Sequence, residues 1–181
     1  MAHIILVTGG SRSGKSAHAL DIAQRLDGPR AFVATCPALD DEMLARIQMH
    51  RNSRRQAGWR TIEETDDLAS ALARAADCRV VLVDCLTLWV NNLLYNAEQA
   101  GRALEESDIQ KHCEAVLRAC APLAGTVLFV TNEVGWGIIP DNALARRFRD
   151  LSGRCNTVMA AGSDEVILVV CGLPIHLKKG D

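Results

Sequence analysis

Few short segments constrain a fold as tightly as Gly9-Gly10-Ser11-Arg12-Ser13-Gly14-Lys15-Ser16, which directly follows the apolar run Ile4-Ile5-Leu6-Val7-Thr8. The spacing is Gly, four residues, Gly-Lys-Ser, set between a strand-like run and the helical pattern of Ala17-His18-Ala19-Leu20-Asp21-Ile22-Ala23. Glycine at 9 and 14 permits backbone geometry and close approach that a side chain would obstruct, so successive N–H groups can face phosphate oxygens. Lys15 supplies a mobile positive charge for the outer phosphates, and Ser16 supplies a hydroxyl for a magnesium ion. The helix that follows aims its N-terminus at the same anion. A plain Gly/Ser turn is the alternative, but strand, helix and every fixed position are present together, which favours nucleotide binding.

Downstream, strand-like runs alternate with helical patterns, the signature of an α/β domain with a mostly parallel sheet. Strands are expected at about 3–8, 30–35, 80–84, 126–131 and 165–171. Val80-Val81-Leu82-Val83 and Val166-Ile167-Leu168-Val169-Val170 are apolar throughout, as strands covered on both faces must be. Gly172 and Pro174 break the chain before Ile175-His176-Leu177-Lys178, which reads as a final antiparallel edge strand. The polar stretch 97–110 reads as a surface connection. With 181 residues and no linker or repeat, the expectation is one P-loop NTPase-type domain over 1–181, its sheet flanked by helices.

Charge and cysteine usage narrow the function classes. Lys plus Arg number 20 against 22 Asp plus Glu, a formal charge of -2, which argues against a general nucleic-acid or membrane-surface binder. No apolar run reaches bilayer length and no signal-peptide profile is visible, so no stable membrane insertion is expected. The seven cysteines include no Cys-x-x-Cys pair, a pattern of reduced, partly buried thiols in the cytoplasm. His112 beside Cys113 has no metal-ligand spacing.

Asp84 closes an apolar strand at the carboxyl edge, where open α/β sheets bind ligands. A carboxylate there can hold magnesium opposite Ser16; capping the next segment is the bland alternative. A helix is expected to begin near Asp40, with Met43, Ile47, His50 and Arg54 near one face. Arg51, Arg54 and Arg55 surround His50 with positive charge, which disfavours its protonation and can hold a phosphate against it. By composition and spacing alone, the segment still reads as a solvated basic helix end with an ordinary histidine.

Larger segments change that balance. The phosphate loop, Leu39-Asp40-Asp41-Glu42-Met43, Gln48-Met49-His50-Arg51, Trp59-Arg60-Thr61, Asp84-Cys85-Leu86-Thr87 and Thr131-Asn132-Glu133-Val134-Gly135-Trp136-Gly137-Ile138-Ile139-Pro140 stand in this order, followed by Asn142, Ala145-Arg146, Phe148-Arg149-Asp150, Gly153-Arg154 and Asn156. Together they resemble the bifunctional adenosylcobinamide kinase/adenosylcobinamide-phosphate guanylyltransferase family of cobalamin biosynthesis, over nearly the whole chain. The resemblance implies phosphorylation of a corrinoid hydroxyl by ATP or GTP, then transfer of GMP from GTP to that phosphate through a guanylylated histidine. It places the histidine at His50; some relatives carry paired histidines here, whereas this chain has Met49 beside a single His50. By position it also implies nucleotide contacts from Gly9, Gly10, Ser11, Arg12, Ser13, Gly14, Lys15, Ser16, Ala34, Thr35, Cys36, Arg51, Asn52, Ser53, Arg54, Glu63 and Asp84. A RecA-like sheet and a homotrimer are implied in the same way.

The remaining features have competing readings. Glu133, just past an apolar strand, either orients a substrate hydroxyl or a magnesium-bound water, or stabilises a loop. Trp89 and Trp136 read as core or subunit packing ahead of corrinoid contact. Arg146, Arg147 and Arg149 read as a solvated helix face. Two rival functions stay open on motif grounds: a monofunctional small-molecule kinase, and a GTP-operated switch, which the missing Asn-Lys-x-Asp signature counts against.

Overall fold

Alternate residues of each central strand enter opposite faces of one sheet, and both faces are buried. The computed structural model describes residues 1–37, 48 and 57–180. Strand β1 is His3–Gly9, β2 Arg30–Ala34, β3 Trp59–Glu63, β4 Val80–Asp84, β5 Thr126–Val130, β6 Glu165–Val170 and β7 Leu173–Lys178. The sheet order is β3-β2-β4-β5-β1-β6-β7, parallel except for β7, which runs antiparallel along β6. Helices α1 (Lys15–Arg25), α2 (Leu68–Arg74), α3 (Leu86–Gln99), α4 (Glu106–Cys120) and α5 (Ala143–Gly162) lie between the strands.

Ile4, Leu6, Val81, Val83, Val127 and Phe129 join one apolar cluster, which contains the buried faces of α2 to α5. Their neighbours Ile5, Val7, Val80, Leu82, Leu128 and Val130 join a second, which contains Ala19 and Ala23 of α1. This three-layer arrangement explains the unbroken apolar runs of β1, β4 and β5, none of whose residues is exposed. β6 is less covered than its run suggests, with Leu168 half-buried and Val170 exposed beside the antiparallel edge strand. The fold is therefore a P-loop NTPase-type α/β architecture, and all five expected strands form.

Three details differ from the sequence expectations. Strand β3 is an additional edge strand: only Trp59 and Ile62 are buried, so no continuous apolar run announces it. The connection expected at 97–110 shrinks to 100–105, because α3 continues to Gln99 and α4 begins at Glu106. A capping box explains the early start, with Glu105 and Asp108 each bonding the other's backbone N–H. Ile109, Cys113, Val116 and Cys120 then bury one face of α4 at helical spacing. Finally, Arg147 is less solvated than expected: its guanidinium donates to the Leu104 carbonyl at 2.8 Å and to Glu105 at 2.9 Å. The helix expected from about Asp40, with Met43, Ile47, His50 and Arg54 on one face, falls outside the described residues.

Candidate functional site

The phosphate loop packs against the end of β6 and the turn that follows it. Gly9 ends β1 where an added Cβ would meet the Val169 carbonyl oxygen at 2.4 Å and the Ser13 hydroxyl at 2.7 Å, so only glycine fits. Gly14 adopts φ +94°, with the Gly172 Cα 3.3 Å from where its Cβ would stand. The turn between β6 and β7 braces the loop, the Gly172 N–H donating to the Ser13 carbonyl at 2.8 Å. Arg12 is exposed at φ 59°, and Ser11 is exposed beside it. The Ser13 hydroxyl is buried without a hydrogen-bond partner among the described residues. A buried polar atom left unsatisfied inside this loop suits a site completed by a ligand.

Lys15 opens α1, is buried, and donates from Nζ to the Gly10 carbonyl at 3.1 Å. Burial lowers its pKa, while the charges of Cys85 and Asp84 act in the opposite sense. Lys15 is thus electrostatically coupled to the end of β4, three strands away in the sheet order from β6 and two from β1. Ser16, one residue along, lies on the exposed first turn.

The other proposed contacts gather on the same edge. Ala34 pairs in register with Glu63 on one side and Asp84 on the other, and Asp84 pairs with Val130. The carboxyl ends of β3, β2, β4 and β5 therefore form one row beside the phosphate loop. Thr35 is wholly buried: its hydroxyl donates to the Cys85 carbonyl at 2.8 Å and accepts the Cys85 N–H at 2.7 Å. Its carbonyl accepts from the Asn92 amide at 2.9 Å, so the Thr35 hydroxyl and carbonyl brace the edge. Cys36 is half-buried and Glu63 exposed. His50, Arg51, Asn52, Ser53 and Arg54 lie outside the described residues.

A polar network that sequence reasoning did not assemble lies between β5 and α5. The Glu133 N–H donates to the Gly9 carbonyl at 3.1 Å, and its Oε1 accepts from the Thr8 hydroxyl at 2.5 Å and the Asn156 amide at 3.2 Å. Asn156 also donates to the Asn132 carbonyl and accepts from the Thr131 hydroxyl. Thr87 accepts from the Asn132 N–H at 2.8 Å. The sequence signals were the place of Asn132-Glu133 just past an apolar strand and the resemblance, which also took in Asn156. Trp89 is core, as expected, with its indole N–H on the Asp66 carbonyl at 2.6 Å, whereas Trp136 is 66% exposed.

Comparison with known proteins agrees with this geometry. Residues 5–177 match the family described as cobinamide kinase / cobinamide phosphate guanyltransferase. The chain is 44% identical over 185 residues to the bifunctional adenosylcobalamin biosynthesis protein CobU of Salmonella typhimurium, covering 97% of this chain and 99% of that one. It is 39% identical over 174 residues to the bifunctional adenosylcobalamin biosynthesis protein CobP of Pseudomonas aeruginosa, covering 96% of each. Among solved structures, an ATPase from the type III secretion system of pathogenic bacteria superposes with a TM-score of 0.56. That match has 9% identity and spans 96% of this chain and 56% of the other, so it speaks to the fold alone.

Proposed function

This chain belongs to the cobinamide kinase / cobinamide phosphate guanyltransferase family, and we propose that it carries out both reactions within one domain, residues 1–181. ATP or GTP phosphorylates the side-chain hydroxyl of adenosylcobinamide. GMP then passes from GTP to adenosylcobinamide phosphate, giving adenosylcobinamide-GDP. The observation that carries the reading is the near-full-length family match joined to a phosphate loop whose backbone and lysine are set for a nucleotide.

In the kinase step the loop N–H groups and the N-terminus of α1 hold the phosphates. Lys15 exchanges its Gly10 carbonyl for the outer phosphate oxygens, compensating the charge that builds there. In the second reaction a nitrogen of His50 attacks the α-phosphorus of GTP, forming a P–N bond as the bond to pyrophosphate breaks. A phosphate oxygen of the corrinoid then attacks that phosphorus and the P–N bond breaks, so one hard transfer becomes two easier ones. Arg51 and Arg54 compensate charge on the transferred group, and Asn52 and Ser53 complete the nucleotide contacts, roles that rest on the resemblance. Ala34, Thr35, Cys36 and Glu63 line or brace the nucleotide's edge of the sheet.

A magnesium ion suits the oxygen donors of Ser16 and Asp84, one on the exposed first turn of α1 and the other on the strand end whose charge reaches Lys15. When bound, such an ion offsets negative charge on the phosphoryl oxygens. A homotrimer in the cytoplasm completes the reading; the exposed Leu173, Ile175 and Leu177 of β7 supply apolar surface for a subunit contact. No helix among the described residues is long and apolar enough to cross a membrane.

Incubation with adenosylcobinamide and ATP, followed by addition of GTP, should yield first the corrinoid phosphate and then its GDP ester, both identifiable by mass spectrometry. Accumulation of the phosphate alone in the presence of GTP would reduce the protein to a simple kinase. Turnover of GTP that never depends on a corrinoid would favour a switch.

A further inference from the structure

We propose that Glu133 is the general base of the kinase step, an inference that rests on the two-reaction reading above. After β5 the chain continues beside β1, the Thr131 N–H donating to the Val7 carbonyl at 3.0 Å and the Glu133 N–H to the Gly9 carbonyl at 3.1 Å. Glu133 is thereby fixed against the first residue of the phosphate loop. Its carboxylate is fixed too, but through one oxygen: Thr8 and Asn156 both donate to Oε1. Among the described residues no donor reaches Oε2. Thr8 is buried, and Asn156 is itself held by Asn132 and Thr131, so the network sets the carboxylate's position while leaving one oxygen able to accept a proton.

The other carboxylates of the edge are placed differently. Glu63 stands on the outermost strand, β3, and Asp84 on β4, across β5 from the loop and proposed above for the metal. Glu133 alone among these three is bonded to the phosphate loop through its backbone.

The chemistry of the two reactions divides at this point. The kinase acceptor is an alcohol, which must lose a proton as it attacks. As the oxygen–phosphorus bond forms, the O–H bond breaks and its proton passes to Glu133 Oε2. The bond from the γ-phosphorus to the bridging oxygen breaks, its electron pair leaving with the nucleoside diphosphate. The carboxylic acid then returns its proton to solvent. In the second reaction the acceptor is already a phosphate oxyanion with no proton to remove, so a base for the alcohol serves the first reaction only.

The test compares Glu133→Gln with Glu133→Asp, measuring corrinoid phosphorylation with ATP and, separately, protein-bound label from α-labelled GTP. Glutamine keeps the shape and can accept from Thr8 and Asn156, but cannot take the proton. A general base contributes about 100-fold to 10,000-fold, so kcat for phosphorylation should fall by about 100-fold or more in Glu133→Gln, with KM for ATP within about threefold. Label incorporation should fall at least about tenfold less than phosphorylation does. Glu133→Asp, which keeps a carboxylate in a poorer position, should outperform Glu133→Gln. Loop stabilisation alone requires the reverse order, because glutamine preserves the network better than aspartate. The proposal is overturned if Glu133→Gln phosphorylates within about threefold of wild type, if glutamine outperforms aspartate, or if both reactions fall in parallel. Wild-type protein that fails to phosphorylate adenosylcobinamide would overturn the underlying reading as well, a result distinct from any of those three.

Discussion

Replacing Thr35 with valine should destabilise the protein by about 1.5–4 kcal/mol, through two bonds to a single neighbouring residue. The Thr35 hydroxyl accepts the Cys85 N–H at 2.7 Å and donates to the Cys85 carbonyl at 2.8 Å, at a site with no solvent exposure. Valine preserves the side-chain shape, so cavity formation adds little. Losing the acceptor leaves the N–H buried and unsatisfied, at a cost of about 1–3 kcal/mol. The carbonyl keeps the Trp89 N–H at 3.2 Å, so its loss is nearer about 0.5–1 kcal/mol. For a chain of this size each kcal/mol moves the melting point by roughly 2–4 °C, giving a drop of about 3–16 °C. Thr35→Ser retains both bonds and should lose only about 1 kcal/mol for the deleted methyl group. Thermal melts followed by circular dichroism, with urea unfolding to confirm an unchanged m-value, measure the difference. A Thr35→Val melt within about 2 °C of wild type, or a serine variant less stable than valine, would refute the bracing role.

Lys15→Ala should leave the fold intact while abolishing phosphorylation and weakening triphosphate binding, measured by calorimetry and by corrinoid phosphate formation. Asp84→Asn should raise the magnesium concentration needed for half-maximal phosphorylation, because an amide cannot supply the carboxylate's charge; an unchanged titration would return Asp84 to a structural role. Thiol titration should show exposed Cys171 reacting first and half-buried Cys36 more slowly. Cys85 and Cys120, whose pKa values burial pushes up to about 11 and about 12, should react only on unfolding, and Cys171→Ser should remove the fast phase.

The phosphate loop was legible because its chemistry depends on local spacing: two glycines, a lysine and a serine within eight residues place the backbone, the charge and the hydroxyl together. The central strands were legible because burial on both faces demands unbroken apolar runs, as in Val80 to Val83. β3 was not, since an edge strand needs to bury only Trp59 and Ile62 and can leave Arg60 and Glu63 in water. Asp84 was placed from its position at the end of such a run, and its register with Ala34 puts Glu63 in the same row. The anchoring of Glu133 was hidden for a different reason. Its partners Thr8 and Asn156 are 125 and 23 positions away, and no periodicity encodes contacts between separate elements. Thr35 stood in the nucleotide set by resemblance, yet its bonds to Cys85 depend on the pairing of β2 with β4, which only the folded sheet reveals.

The covalent guanylyl carrier is the claim on which the two-reaction account turns, and α-labelled GTP tests it directly. Wild-type protein should retain label through denaturation, in a bond labile to acid and comparatively stable to base, as a phosphoramidate is. Folded His50→Ala should retain none and make no adenosylcobinamide-GDP, while still phosphorylating adenosylcobinamide, because that step needs no protein nucleophile. Formation of adenosylcobinamide-GDP by His50→Ala at the wild-type rate would contradict the account.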